Sequence, residues 1–210
     1  MTRSMKIYQA LLSIVEKALA RLSEPDGPAL LTFWAGCGGG KTTLLRLLRE
    51  LYSNEGDATP LGPWDARSLS HDVPAQEVLA VIEGAPPEKK KLVLLDDLDE
   101  LLRTDDGEPF FAFEWEVIRK LLERGDTLIV ATSRAPLIQW RDYDVRVVAE
   151  NIHIPSLSRE EVAEWAEARQ LDPERAFAIS LGHPLVLAWF QEQPDLSQDC
   201  LLYTSPSPRD

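Results

Sequence analysis

Apolar residues follow two distinct patterns along the chain. Over residues 7–22 they recur every three or four positions, which predicts an amphipathic helix. Further along, several runs are apolar almost without interruption, a pattern typical of strands buried on both faces of a parallel sheet. Strands are predicted at residues 29–35, 91–96 and 127–131, with a further strand at 145–154.

Helical spacing of apolar residues returns between these strands. It predicts helices over residues 44–52, 73–84 and 114–124. Residues 53–63 are rich in turn formers and lead into a short predicted strand near 64–66. Strands that alternate with helices predict an α/β fold, in which a parallel sheet with right-handed crossovers is flanked by helices.

The pattern changes after Ile154. The segment SLSREEVAEWAEARQ opens with serine and carries glutamate three residues later, which predicts a helix that begins with a capping box. Only helical spacing follows, as far as Gln193. We therefore predict a domain of residues 1–154, including the N-terminal helix, and a small helical unit of residues 155–199.

Composition and charge narrow the classes of partner. The 210 residues suffice for one core and a small appended unit. The net charge of −13 argues against direct nucleic-acid binding, which relies on lysine and arginine to neutralise phosphates. Cys37 and Cys200 form no metal or disulfide pattern, and no apolar segment is long enough to span a membrane. These features predict a cytoplasmic protein without a membrane partner.

The segment AGCGGGKT, residues 35–42, matches the phosphate-binding pattern G-x-x-x-x-G-K-[ST] with alanine at the first position. Glycines let backbone N–H groups surround a phosphate, and the helix that follows directs its positive end at it. Lys41 is predicted to reach the β- and γ-phosphates, and the Thr42 hydroxyl to bind Mg²⁺. The predicted nucleotide-binding residues are Gly36, Cys37, Gly38, Gly39, Gly40, Lys41, Thr42 and Thr43.

A second group of candidate residues lies in LVLLDDLDE, at the end of a predicted buried strand. We predict that Asp96 holds Mg²⁺ together with Thr42, and that Asp97 polarises a water for attack on the γ-phosphate. Asp99 and Glu100 are interpreted as a solvated helix start, where carboxylates favour the helix dipole.

The segment ATSRAP follows the next strand and places an arginine at the same edge of the sheet. Ligands bind at the carboxyl edge of open α/β sheets, so Arg134 is predicted to sense the γ-phosphate. The alternative interpretation is an exposed arginine after a strand. If Arg134 senses the γ-phosphate, the candidate catalytic residues are Lys41, Asp97 and Arg134.

These three segments, together with LGHPLVLAW near the C-terminal end, resemble the STAND NTPases. That family is the signal-transducing branch of the AAA+-related P-loop ATPases and includes the NB-ARC proteins. The resemblance rests on the glycine loop, the double aspartate, TSR and a GxP motif at Gly182–Pro184. It implies that residues 155–199 form a lid in which Pro184 contacts the nucleotide.

The resemblance also implies a switch that binds ATP or ADP with Mg²⁺, hydrolyses ATP slowly and self-associates in a longer protein. A second interpretation is an AAA+ or other small P-loop ATPase with ordinary turnover. A third is a scaffold that does not hydrolyse ATP, in which the aromatic run Phe110, Phe111, Phe113 and Trp115 forms a contact patch instead of core.

The last eleven residues, CLLYTSPSPRD, have neither the periodicity nor the composition of the preceding chain. They resemble a translated sequencing-library adapter, so we interpret residues 200–210 as a non-native tail. In that case the chain is the N-terminal fragment of a larger multidomain protein.

Overall fold

The computed structural model of the chain describes residues 6–22, 24, 27–55, 58–69, 75–86, 88–103 and 107–192. The chain divides into two compact units: one is Ala10–Ile154, and the other combines the chain from Pro155 onwards with the start of the chain as far as Gln9. We call Ala10–Ile154 the sheet unit, and we call the helices that follow Pro155 the helical unit. The predicted non-native tail at 200–210 lies outside the described residues.

The sheet unit is organised around five parallel strands. They are β1 (Leu30–Trp34), β2 (Ala58–Asp65), β3 (Lys90–Asp96), β4 (Thr127–Ser133) and β5 (Ala149–His153). Their order across the sheet is β2-β3-β4-β1-β5, and every neighbouring pair is parallel. Because β4 lies between β1 and β3, the segments that follow these three strands emerge side by side at one edge of the sheet.

Helices connect the strands of this unit. They are α2 (Lys41–Glu55), α3 (Ala66–Leu69), α4 (Ala75–Glu83), α5 (Glu108–Phe113), α6 (Arg119–Glu123) and α7 (Tyr143–Val148), and a further helix, α1 (Lys6–Arg21), precedes β1. A 3-10 turn, Leu98–Leu102, follows β3, and a π-helical segment, Glu114–Ile118, joins α5 to α6. No helix among the described residues is long and apolar enough to cross a membrane.

The core lies between the sheet and the helices that cover it. In β3, the four residues 92–95 are fully buried, as are residues 128–131 of β4, because a central parallel strand is covered on both faces. The aromatic run is divided between the two environments proposed for it. Phe110 and Phe113 are buried in the core, whereas Trp115 is 61% exposed.

Two segments differ from the predictions made from the sequence. The turn-rich stretch is largely strand, because β2 runs from Ala58 to Asp65. Its pairing with β3 is irregular between Leu61 and Trp64, which accommodates Gly62 and Pro63. The first half of the predicted strand 145–154 is helix α7, whose N–H groups at Asp144 and Val145 are capped by the Asp142 side chain.

The helical unit contains α8 (Arg159–Glu167), α9 (Pro173–Ser180) and α10 (Pro184–Glu192). The predicted capping box is confirmed: Ser158 accepts from the Glu161 N–H, and Glu161 accepts from the Ser158 N–H. A small separate core holds the three helices together. The residues of that core are Val162, Trp165, Ala166, Ala176, Leu187 and Phe190.

Gly182 fixes the turn between α9 and α10. Its φ is 80°, and an added Cβ would lie 2.0 Å from the Leu157 carbonyl oxygen. The Leu157 N–H donates to the Gly182 carbonyl at 2.9 Å. Only glycine permits this approach of two backbones, so within the helical unit this residue has a structural role.

Candidate functional site

The glycine-rich loop between β1 and α2 depends on the conformational freedom of its glycines. Gly38 and Gly40 have φ of 72° and 85°, values that other residues rarely adopt. At Gly39 a Cβ would lie 2.6 Å from the Cβ of Ala35. The loop closes with a hydrogen bond from the Gly39 N–H to the Gly36 carbonyl at 3.1 Å. The glycines are therefore required for the backbone conformation of the loop that connects β1 to α2.

Lys41, the first residue of α2, is buried beneath this loop. Its ammonium donates to the carbonyl oxygens of Ala35 at 3.1 Å and Gly36 at 3.3 Å. A carboxylate oxygen of Asp97 lies 4.0 Å from Nζ, at the limit of an ion pair. Neutral carbonyls thus orient the ammonium, and its charge is only partly balanced by the surrounding chain.

Asp96 is the last residue of β3 and connects the two neighbouring segments. Its Oδ2 accepts from the Thr42 hydroxyl at 2.7 Å, and its Oδ1 accepts from the Thr132 hydroxyl at 2.5 Å. Thr132 lies near the end of β4, the strand between β1 and β3. The strand order therefore brings the predicted metal ligands, Asp96 and Thr42, into direct contact.

These two oxygen ligands fit a magnesium ion of the kind bound together with a nucleotide. Mg²⁺ prefers hard oxygen ligands, retains several waters and is commonly held by one or two protein groups plus substrate phosphates. Asp96 and Thr42 supply a carboxylate and a hydroxyl whose oxygens lie 2.7 Å apart. Among the described residues, no group of three or more acidic, histidine or cysteine side chains forms an all-protein metal site.

Asp97 adopts a left-handed backbone conformation, with φ 50° and ψ 47°. Its N–H donates to the Thr132 hydroxyl at 2.9 Å, and it makes no side-chain cap for the 3-10 turn that it begins. Its carboxylate is 20% exposed and lies on the side of Lys41. Strained conformations of this kind are concentrated at functional sites, where surrounding contacts hold them in place.

Arg134 follows β4 directly and is held by the acidic residues after Asp97. Its Nε lies 2.7 Å from Asp99 Oδ2, and its Nη2 lies 2.9 Å from Glu100 Oε1. Burial acts to lower the pKa of Arg134, but the hydrogen bond to Asp99 and the charges of Asp99, Glu100 and Asp97 raise it above its usual range. The interpretation of Asp99 and Glu100 as a solvated helix start is therefore wrong: they are ion-paired and only 14% and 12% exposed.

The remaining predicted site residues lie in two places. In the glycine loop and the first turn of α2, exposed residues surround the buried lysine. They are Gly36, Cys37, Gly38, Thr42 and Thr43. Pro184 belongs to the helical unit, where it is the first residue of α10. The sheet unit thus brings together Lys41, Thr42, Asp96 and Asp97, while Pro184 stands on a separate unit.

Solved structures of three proteins share this architecture at low sequence identity. The FIGL-1 AAA domain in complex with ADP matches with a TM-score of 0.55 and 16% identity, over 91% of this chain and 75% of that one. The replication initiator DnaA bound to AMPPCP and single-stranded DNA matches with a TM-score of 0.61 and 15% identity, over 97% and 65%. C. elegans PCH-2 matches with a TM-score of 0.53 and 18% identity, over 95% and 63%.

The chain has the fold of an AAA+ P-loop NTPase domain. The fold class predicted from the sequence is therefore confirmed. No model of a known protein family matches the chain, and no curated protein sequence matches it. The chain spans less than two thirds of the length of the DnaA and PCH-2 chains, and about three quarters of the FIGL-1 domain.

Within this AAA+ fold, sequence reasoning missed the roles of two groups. Thr132, which lies in the segment ATSRAP, was given no function, although its hydroxyl contacts both Asp96 and the Asp97 N–H. The signal that could have identified Thr132 is a hydroxyl residue near the end of β4. This strand lies between β1, which leads into the glycine loop, and β3, which ends in Asp96. Asp99 and Glu100 could not be assigned to Arg134 because their placement depends on the left-handed turn at Asp97.

Proposed function

We propose that the chain is a nucleotide-dependent switch that binds ATP and ADP with Mg²⁺ and hydrolyses ATP slowly, in the manner of the signal-transducing P-loop NTPases. Self-association within a longer protein and a cytoplasmic location belong to the same proposal. The observation that carries it is the convergence of Lys41, Thr42, Asp96 and Asp97 at the end of one glycine loop.

The proposed site separates phosphate binding from chemistry. Lys41 is oriented by two carbonyls beneath the loop, so its ammonium supplies positive charge to the β- and γ-phosphates without having to break a close ion pair. Asp96 and Thr42 would hold Mg²⁺, which supplies charge neutralisation for the phosphate oxygens. Asp97, whose carboxylate lies 4.0 Å from the Lys41 ammonium, would orient and deprotonate the attacking water.

Neighbours with this fold support the nucleotide class. The FIGL-1 domain was solved with ADP and the DnaA domain with AMPPCP, an ATP analogue. The DnaA structure also contains single-stranded DNA. For this chain we propose no direct nucleic-acid partner, because a net charge of −13 opposes a phosphate backbone.

Ordinary ATPase turnover is the second candidate, because a lysine, a hydroxyl–carboxylate pair and a second carboxylate meet at the same edge of the sheet. Two measurements separate the candidates. Calorimetry with ADP and with AMPPCP tests binding, and a steady-state turnover assay at saturating Mg·ATP measures the rate. A rate constant well below about 1 s⁻¹, the low end of typical enzyme turnover, supports the switch. A rate of about 10 s⁻¹ favours the ordinary ATPase, and absence of binding rejects both.

The role of Asp97 is tested in the same assays. Asp97→Asn should retain AMPPCP affinity and lower the turnover rate by about 100-fold or more, the typical contribution of a general base. Glu123→Gln, which removes the partner of an exposed arginine on α6, is the control and should change neither quantity. Turnover within about twofold of the original chain in Asp97→Asn would show that the base lies elsewhere.

Pro184 is proposed to act on nucleotide retention, because the helical unit carries no other predicted site residue. Pro184→Ala should speed ADP release, measured by stopped flow with a fluorescent ADP analogue. The capping-box variant Ser158→Ala perturbs the same unit without touching the motif and is the matched control. Equal release rates in the two variants would remove Pro184 from the nucleotide site.

A further inference from the structure

Three donors of one arginine are tied to a single turn of the chain. The Arg134 N–H donates to Asp99 Oδ1 at 3.2 Å, its Nε donates to Asp99 Oδ2 at 2.7 Å, and its Nη2 contacts Glu100 Oε1 at 2.9 Å. Both oxygens of Asp99 are therefore used, one by the backbone and one by the side chain of the same residue. We call the turn Leu98–Leu102 the acidic turn.

The acidic turn is anchored at both ends of its sequence. Leu98 is fully buried and Leu101 is 3% exposed, so apolar packing fixes the turn against the sheet. Asp97, which precedes it, is held in its left-handed conformation by the hydrogen bond to Thr132. The carboxylates of Asp99 and Glu100 are therefore positioned by the core and not by solvent-exposed chain.

Displacing the arginine from this turn would be costly. Asp99 and Glu100 are 14% and 12% exposed, and without Arg134 two neighbouring, largely buried carboxylates would repel each other. A buried charge left without its partner is strongly destabilising. Arg103 also contacts Glu100, but its side chain is 64% exposed and contributes little to holding the pair. The arrangement therefore holds Arg134 in place.

One nitrogen of the Arg134 guanidinium remains available as a hydrogen-bond donor. Nε and Nη2 are engaged, and among the described residues Nη1 donates no hydrogen bond. Arg134 stands at the carboxyl end of β4, next to the strand ends that carry the glycine loop and Asp96. A guanidinium fixed on one side and open on the other is a preorganised donor for an anion.

We propose that Asp99 and Glu100 are positioning residues that hold Arg134 as a fixed donor to the terminal phosphate of ATP and so set the preference for ATP over ADP. This inference rests on the proposed nucleotide function. It assigns the preference to the acidic turn as much as to the arginine, because an arginine without its two carboxylates would lose its orientation.

The test measures the ratio of AMPPCP to ADP affinity by calorimetry in the full chain. The variants are Arg134→Ala, Asp99→Asn/Glu100→Gln, and the combination of all three changes. We expect Arg134→Ala to lower the ratio about tenfold, the acidic-turn variant to lower it several-fold, and the combined variant to match Arg134→Ala. Non-additivity of this kind shows that the carboxylates act through the arginine. Glu123→Gln, which removes one of the two acidic partners of a different arginine, Arg119, should leave the ratio unchanged.

Thermal unfolding without nucleotide separates positioning from stability, and Glu100→Gln alone gives a milder variant if the double change does not fold. A lowered unfolding temperature with an unchanged ratio would overturn the proposal, because the acidic turn would then be only structural. An increased ratio would also overturn it, since the carboxylates would then restrain the arginine. If the original chain binds ADP and AMPPCP equally and Arg134→Ala does not change the affinity ratio, this inference is rejected. The proposal that the chain binds nucleotide would still stand. Failure of the original chain to bind either nucleotide rejects the proposed function itself.

Discussion

Two buried lysines lie at opposite edges of the same sheet and have opposite surroundings. Lys91, at the amino end of β3, is fully buried and pairs with the Asp126 carboxylate at 2.5 Å. Lys41, beyond the carboxyl end of β1, is 7% exposed and is met by two neutral carbonyls, with the Asp97 carboxylate 4.0 Å away.

The difference indicates which lysine stabilises the fold and which one serves a ligand. The Lys91 ammonium is fully buried, is neutralised by Asp126 and lies at the edge away from the glycine loop, so it is a structural element: removing Asp126 would leave a buried charge without its partner. An ammonium held mainly by carbonyl dipoles keeps much of its electrostatic field for an incoming anion. Burial alone would not distinguish the two residues; the identity of their partners does.

The largest expected effect is on ligand binding at the carboxyl edge. Lys41→Met should weaken AMPPCP binding by at least about 100-fold, because contacts to the β- and γ-phosphates are lost at about 1.5–3 kcal/mol each, and should weaken ADP binding, which loses only the β-phosphate contact, by at least about tenfold. The unfolding free energy should change little, since only carbonyl contacts disappear. Calorimetry and urea unfolding measure the two quantities. Strong destabilisation with unchanged binding would show that Lys41 stabilises the fold and does not serve a ligand.

The same substitution at Lys91, at the amino edge of the sheet, should lower stability and leave nucleotide affinity unchanged. Lys91→Met should lower the free energy of unfolding by about 1–2 kcal/mol, because the 35% exposed Asp126 carboxylate loses its lysine and keeps only Arg124 and Thr127. Nucleotide affinity per folded molecule should stay within about twofold of the original chain. Restoration of stability in Lys91→Met/Asp126→Leu, which replaces the pair by apolar side chains, would confirm that the loss comes from the carboxylate left without its lysine. A loss of affinity in the folded fraction would contradict the comparison.

A smaller effect is expected from the threonine that links the two aspartates. Thr132→Val removes one donor to Asp96 and the acceptor of the Asp97 N–H. Each hydrogen bond of this kind contributes about 1 kcal/mol, so turnover should fall about tenfold. Thr132→Ser keeps the hydroxyl and should recover most of the rate. Equal rates in the valine and serine variants would show that the hydroxyl does not position the site.

The smallest effect is an acid-dependent loss of stability at the amino edge. Burial acts to raise the pKa of Asp126, but hydrogen bonds from Lys91, Thr127 and Arg124 and the charge of Lys91 lower it from 3.8 to about 2. Because the folded pKa is the lower one, this stabilisation is fully present above pH 4 and is lost as the pH falls towards 2.

The carboxylate is 35% exposed, so solvent screening reduces this contribution to about 1 kcal/mol. Urea unfolding between pH 5 and pH 2 measures it, and Asp126→Asn should flatten that part of the profile. A profile of equal slope in the variant would assign the acid dependence to other carboxylates.

Prediction from the sequence succeeded for those strands and helix ends that a single local pattern of residues determines. The uninterrupted apolar runs of β3 and β4 and the serine–glutamate capping box of α8 each correspond to the element predicted. The glycine loop and the double aspartate predicted which residues meet at the edge of the sheet, because the ends of parallel strands share that edge.

Prediction failed where tertiary contacts override local preference. Proline and glycine in residues 60–63 indicated a turn, yet β2 continues through them by an irregularity in its pairing with β3. Valines at 145–148 indicated a strand, yet the Asp142 cap begins a helix that buries Val145. The partner of Arg134 depends on a turn geometry that no spacing of residues encodes.

The left-handed backbone at Asp97 sets function against stability at a single position. Asparagine tolerates this conformation more readily than most residues, and Asp97→Asn also removes one of four neighbouring negative charges. The chain carrying asparagine there should therefore unfold at the same temperature or a higher one. If so, a selection for thermal stability alone would favour the asparagine variant, and the aspartate would persist only where turnover is itself under selection.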